Sequence, residues 1–306
     1  MMINNTYKHN NGSAGRYSDN EVNSTPETIT IINCVLNAPL MLISILGNAL
    51  VLAAIIRTPS IRSTSHMIML CSLAVSDFLV GLIVQPVYIA QRLTDDRLVF
   101  HAVKQIGFSL CGASLLTMTV LTVDRFLALQ YHMKYAALVT ESRVKYALII
   151  IWLTTSFAIG FYFLNERVHS FLSGIITIIC LLISTFFYIR IHRIVRRHQL
   201  QIHAQQQAVQ SSDAENNLNI MRLKRSALNT FVFYITLTIC YFPMYVLLTL
   251  HGLSIKDWKT EWQFAFTAVF MNSSINPFLY CWRLRELRTA VVKTARQMLC
   301  KQTEEN

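Results

Sequence analysis

Seven apolar stretches, at residues 29–57, 66–91, 100–131, 143–164, 169–198, 224–252 and 261–282, leave this chain few ways to fold. Each is long enough to cross a bilayer as a helix, which takes about 20 mostly apolar residues. Composition points the same way. Hydrophobic residues make up 53% of the chain and charged residues 14%, about half the charged share usual in soluble domains. The predicted fold class is an all-α membrane protein, a seven-transmembrane helix bundle (29–282). It lies between a disordered, glycosylated extracellular tail (1–28) and an amphipathic membrane-surface helix with a cytoplasmic tail (283–306). The first 28 residues contain no apolar run, so no cleavable signal peptide is expected. The fourth and fifth spans are separated only by Asn165–His169. Asn165, Glu166 and Arg167 would be costly at bilayer depth, which predicts a very short loop there.

The formal net charge of +11 is placed for a membrane rather than for nucleic acid. With the amino terminus outside, the inner loops and tail hold 18 Lys and Arg, and the outer segments hold eight, accompanied by eight Asp and Glu. That is the positive-inside bias of a multi-pass plasma-membrane protein. Sequons at Asn4, Asn11 and Asn23 agree with an outward, glycosylated end. Trp258 and Trp262 fit an outer interfacial belt and Trp282 an inner one. After the seventh span, Leu284, Leu287, Val291 and Val292 recur at helical spacing among basic residues, as in a helix lying on the inner leaflet. Cys300 at its end is either a palmitoylation site or an unmodified thiol. The other six cysteines lie in apolar stretches, so no disulfide framework is expected.

Ionisable groups inside a span cost about 3 kcal/mol on insertion scales, so each calls for a reason. Asp77 sits mid-span. Asn48, Ser114, Asn272, Ser273 and Asn276 are placed to form one polar cluster around it. A carboxylate with hydroxyl and amide oxygens suits a small hard cation such as Na⁺. A water-filled hydrogen-bond network without an ion would use the same residues. No other cofactor is implied. At the end of the third span, Asp124 and Arg125 can pair, or Arg125 can snorkel. Tyr188 and Tyr280 are near enough in register to reach toward Arg125. Pro243 and Pro277 interrupt the helical hydrogen-bond ladder mid-span.

The order of these signals is specific. Gly47-Asn48 in the first span, Leu73-Ala74-x-x-Asp77 in the second, Asp124-Arg125-Phe126 closing the third, Trp152 in the fourth, Cys240-Tyr241-Phe242-Pro243 in the sixth and Asn276-Pro277-x-x-Tyr280 in the seventh resemble the rhodopsin-like G-protein-coupled receptors. The resemblance runs from about residue 29 to residue 300. It implies an outer pocket for a small-molecule, lipid or peptide ligand and a cytoplasmic cleft for a heterotrimeric G protein. It also implies a sixth helix that swings outward about Pro243, with Tyr241, Arg125, Tyr188 and Tyr280 rearranging. Such a chain is not an enzyme.

The departures are equally informative. The family's outer disulfide has no counterpart: Phe100 stands near one cysteine position, and the loop after the fourth span has none. Cys180 replaces the usual fifth-helix proline and Tyr241 the sixth-helix tryptophan. Leu115 and Leu237 replace an aliphatic–aromatic pair. Leu223, beside Arg222, Lys224 and Arg225, replaces the acid that often locks Arg125, which predicts raised basal signalling. The missing disulfide and proline and the short loop resemble the melanocortin, cannabinoid and lysophospholipid branch. Gly107 stands where amine receptors carry an Asp, so aminergic ligands are disfavoured. The seventh span has no Lys for retinal, and Leu248 replaces the Asn of adenosine receptors. The residues expected to face the outer pocket are Tyr88, Lys104, Gly107, Phe108, Cys111, Tyr241, Met244, Tyr245, Leu248, Trp262, Phe266 and Phe270, each of which also serves as packing. Lys104 reads as an interfacial anchor or as the partner of an acidic head group on a lipophilic ligand. A transporter or channel-like protein would need ionisable relays along a pathway, and Asp77 is the only acid deep in a span.

Overall fold

The computed structural model describes residues 27–62, 64–94, 97–131, 134–208, 232, 234–251, 253 and 259–304. The described residues are almost entirely helical. The helices are α1 (Glu27–Arg57), α2 (Ser65–Thr94), α3 (Arg97–Gln130), α4 (Glu141–Leu164), α5 (Glu166–Ala208), α6 (Tyr234–His251), α7 (Lys259–Arg283) and α8 (Arg285–Glu304). Single helical turns at Pro59–Arg62 and Tyr135–Leu138 lie in the first two connections toward the basic side. The sequons, Trp258 and residues 222–225 lie outside the described residues, as does the side chain of Cys300.

Polarity is inverted relative to a water-soluble protein. Asn33, Asn37, Asn48, Asp77, Gln85, Ser114, Asn272 and Asn276 are all fully buried, whereas Leu46, Leu153, Phe157, Phe163 and Leu164 are exposed. In water such an apolar surface would drive aggregation. In lipid it is the solvated face, and part of the interior polarity is paired across helices, as Asp77 is with Ser114 and Asn276. Among the described residues, six helices are long and apolar enough to cross a membrane: α1, α2, α3, α4, α5 and α6. The chain is therefore a multi-pass helical membrane protein. The seventh apolar stretch is also a helix, but it falls outside that set. Gln263, Thr267, Asn272, Ser273, Ser274 and Asn276 spread polar groups along α7 and keep it outside that set.

The predicted loop between the fourth and fifth spans shrinks to one residue. Asn165 is extended (φ −159°, ψ 101°). Its N–H still donates to the Phe161 carbonyl at 3.3 Å, closing α4. Its Oδ1 accepts from the Val168 N–H at 3.2 Å, capping α5. Glu166–His169 are thus the first turn of α5 rather than loop.

Close approaches fix the bundle. A Cβ on Gly47 would come within 2.9 Å of the Pro277 ring, so only glycine lets α1 lie this near α7. A Cβ on Gly174 would meet the Thr249 hydroxyl at 3.0 Å, where α5 meets α6. In α2 the segment Val80–Val84 is a π-turn just before Pro86. That widening is one way a helix accommodates a residue with no N–H. The indole of Trp152 donates to Ser72 at 3.0 Å and ties α4 to α2. α8 packs on α1 through Leu287, Ala290, Val291 and Thr294, at i, i+3, i+4 and i+7. Val292, predicted on the apolar face, is exposed, because one residue past Val291 turns it about 100° away.

Candidate functional site

Three polar centres run from the middle of the bundle to its two ends. In the middle, the two carboxylate oxygens of Asp77 accept from two other helices. Ser114 on α3 donates to Oδ1 at 3.2 Å, and the Asn276 amide on α7 donates to Oδ2 at 2.7 Å. The Asp77 backbone carbonyl accepts from Ser44 on α1 at 2.9 Å. Asn48 donates to the Ser44 carbonyl at 2.8 Å and to the Ser273 carbonyl at 3.1 Å. One acid thereby couples α1, α2, α3 and α7. The Oδ1 atoms of Asn48, Asn272 and Asn276 are buried and have no hydrogen-bond partner among the described residues. The carboxylate with the Ser114 hydroxyl and the Asn276 amide oxygen is a hard oxygen set of the kind that fits Na⁺. Among the described residues, no group of three or more His, Cys, Asp or Glu is placed to hold a metal.

At the inner end, Asp124 holds its neighbour. The Arg125 guanidinium lies 3.5 Å from Asp124 Oδ2, and Tyr135 donates to Oδ1 at 2.6 Å. Burial and the Asp124 carboxylate push the Tyr135 hydroxyl well above its usual range, so it stays protonated and remains a donor. Arg125 faces a small cavity of about 20 Å³ with Arg283, Ser184, Tyr188 and Tyr234. That volume is on the scale of one water. Tyr188 and Tyr234 stack with centroids 5.2 Å apart and planes 4° apart, and Thr185 shares a hydrogen bond of 2.9 Å with Tyr234. This closes α6 onto α5. A second cavity holds Tyr280 beside Arg125 and Arg283.

Toward the outer end, Tyr241 on α6 donates to the Cys111 carbonyl of α3 at 3.0 Å. Above it, Tyr88, Phe108, Trp262, Phe266 and Phe270 pack ring on ring at centroid separations of 5.4–6.0 Å. Lys104 is buried. Its Nζ is 2.6 Å from Glu166 Oε1 and lies 5.3 Å from the Trp262 ring centroid. His101 and Tyr162 share a hydrogen bond of 2.7 Å next to it.

A model of the seven-transmembrane receptor family of rhodopsin matches residues 47–170. The histamine H2 receptor of Canis lupus familiaris is 28% identical over 301 residues, covering 88% of this chain and 80% of that protein. The QRFP-like peptide receptor of Branchiostoma floridae is 26% identical over 298 residues (85% and 75%). Melanocortin receptor 5 of Pan troglodytes is 25% identical over 283 residues (84% and 81%). The chain is thus similar to the rhodopsin-like receptors over residues 47–170 and to individual receptors along most of its length.

The structure brings Asp77, Ser114 and Asn276 into direct contact and links Asn48 to them through the Ser44 and Ser273 carbonyls, whereas Asn272 is buried with no hydrogen-bond partner among the described residues. Arg125 shares cavities with Tyr188 and Tyr280 but pairs with Asp124. Lys104 is neither a surface anchor nor open toward bulk solvent, because Glu166 occupies it. Of the expected pocket residues, Gly107, Cys111, Met244 and Leu248 are buried, and Tyr245 is half-buried. The carbon side of Gly107 abuts Val84: a Cβ there would sit 3.2 Å from it.

Sequence reasoning missed a fourth cluster. The Asn33 amide donates to Thr267 at 2.8 Å and to the Gln263 carbonyl at 3.2 Å, and its Oδ1 accepts from Tyr88 at 3.0 Å. Asn37 donates to Thr267 at 2.9 Å. The signal was two asparagines four residues apart in an otherwise apolar run, which places both on one helical face.

Proposed function

We propose that this receptor sits in the plasma membrane with its amino terminus outside, crosses it a seventh time through α7, and converts extracellular ligand binding into activation of a heterotrimeric G protein. α8 then lies along the inner leaflet. The observation that carries the proposal is Arg125. It is a guanidinium donor at the inner end of α3, held among the described residues by one neighbouring carboxylate and facing a cavity that α6 closes. Outward motion of α6 about Pro243 would unstack Tyr188 from Tyr234, enlarge that cavity and free Arg125 for a partner. Tyr241 couples the same motion to the outer half through its bond to α3. Asp77 and its amide and hydroxyl neighbours would hold Na⁺, whose charge would neutralise the carboxylate and stabilise the closed arrangement.

The histamine receptors among the relatives raise an amine as ligand. Gly107 offers it no carboxylate, and Glu166 is already paired with Lys104. A lipophilic or peptide ligand fits the aromatic outer interior better. An acidic head group would have to displace Glu166 from Lys104, so a Lys104→Ala receptor responding normally would remove that form of recognition.

The test is ligand-free G-protein recruitment in cells, read alongside cyclic AMP and calcium. Recruitment above mock-transfected cells, lost on Arg125→Ala at equal surface expression, is expected. Recruitment at mock level for the unmodified receptor would count against raised basal signalling. Failure of a ligand-library screen with a promiscuous G protein as well would sink the coupling proposal.

A further inference from the structure

The bundle also opens on its lipid-facing side. A cavity of about 150 Å³ lies among α3, α4 and α5 in the outer half. Its wall includes Gln105, Gly112, Leu115, Leu116, Thr155 and Ile176, and His169 closes its outer end. Thr154 and Ile176 on its lip are exposed, and Phe157, 81% exposed, stands alongside. In a membrane that surface meets acyl chains, so the mouth opens to lipid.

The polar lining separates into two kinds. The hydroxyls of Ser109 and Thr155 are consumed internally, donating to the Thr155 and Ile151 carbonyls at 3.0 and 2.9 Å. Gln105 is not. It is 2% exposed, and neither its Nε2 nor its Oε1 has a partner among the described residues. His169, 4% exposed, likewise leaves Nδ1 without one. Gln85, Gln263 and Asn272 also lack both partners, but of the four only Gln105 lines this cavity, where a guest can supply them. No lining residue is Lys, Arg, Asp or Glu, and the nearby Lys104 is taken by Glu166. A charged head group would therefore lie buried and uncompensated.

We infer that this cavity binds an uncharged single-chain amphiphile from the bilayer. Its head is a group that both donates and accepts hydrogen bonds, such as a primary amide or alcohol, which pairs with Gln105 and His169. The volume matches apolar cavities that hold a benzene-sized guest. It takes the head and first methylenes, and the remaining chain passes between Thr154 and Ile176 into lipid. The inference rests on the membrane placement of α3, α4 and α5 and not on G-protein coupling, so it stands or falls by a binding measurement alone.

The full-length receptor is reconstituted in phosphatidylcholine nanodiscs with C12 probes carrying a chain diazirine and ending in a primary amide, a primary alcohol or a carboxylate. After irradiation, saturable adducts of the amide or alcohol probe are expected on 105–116, 154–158 and 169–176, suppressed by excess unlabelled amide. Gln105→Leu and the cavity-filling Gly112→Phe should each weaken labelling about tenfold, the equivalent of about 1.4 kcal/mol. Gln105→Leu should also melt at or above the wild-type temperature, because an unpartnered amide is removed. Non-saturable labelling spread over every lipid-facing helix would overturn the site. So would labelling unchanged in Gln105→Leu, or a melting temperature lowered by that substitution, which would make Gln105 structural. A carboxylate probe labelling as strongly as the amide would overturn the uncharged head.

Discussion

The inner and outer halves of this receptor are tied together by different means. The inner half uses short-range, locally encoded contacts. Asp124 holds Arg125, the next residue, and Tyr135 is eleven positions away. The outer half is held by partners far apart in the chain: Lys104 to Glu166, 62 residues on, and Asn33 to Thr267, 234 residues on. Among the described residues, α6 meets α5 in the inner half through the Tyr188–Tyr234 stack and the Thr185–Tyr234 hydrogen bond. The outer ties are buried and cross several helices. Under the proposed function, the inner half is the part expected to open and the outer half the part expected to hold.

The contrast breaks most readily at Arg125. Arg125→Ala should abolish ligand-free G-protein recruitment while costing no more than about 2 kcal/mol of stability, because the buried Asp124 lies 3.5 Å from Arg125 and keeps its hydrogen bond from Tyr135. A large loss of stability would mean that the inner half is a structural clamp after all. Next, Lys104→Ala should destabilise by about 2 kcal/mol. That is less than the 3–5 kcal/mol typical of a fully buried pair, because the Glu166 side chain is 36% exposed. A double-mutant cycle with Glu166→Ala measures this, and additive effects would show that the pair does not hold the outer half. Gly47→Val, which drives a side chain into Pro277, should cost about 1–3 kcal/mol by overpacking. Thermal denaturation in detergent reads it, and Gly47→Ala should fall between it and wild type.

Smaller still, Tyr241→Phe removes one buried hydrogen bond, worth about 1 kcal/mol, and frees α6 from the Cys111 carbonyl. It should raise basal cyclic AMP or calcium signalling, and a lowered signal would show that the bond stabilises the open form. The smallest expected effect is ionic. Replacing NaCl with choline chloride should lower the melting temperature of the wild type but not of Asp77→Asn. Equal salt responses would leave Asp77 with water in place of an ion.

What could be read from the sequence follows the same division. Helices, the Asp77 cluster and the Arg125 region were legible because a charge in an apolar run is costly and must find company. Lys104 was misjudged because its partner sits beyond a turn that looked like a loop. The single-residue junction depends on Asn165 closing one helix and capping the next, which periodicity does not encode. Asn33 and Asn37 escaped notice because neutral amides are tolerated in spans, and their partner Thr267 is an ordinary residue. α8 was legible as amphipathic, but its buried stripe was displaced by one residue at Val292.

The Lys104–Glu166 pair also sets how this receptor responds to its chemical surroundings. It joins α3 to the α4–α5 junction by charge, and the six described cysteines carry free thiols. Reducing agents have no bond to cut there, and no oxidative step stands between synthesis and a finished outer face. The joint is instead open to competition. Any anion or cation able to enter beside Trp262 can exchange with one partner of the pair and let go when it leaves, a reversibility that a covalent bridge lacks.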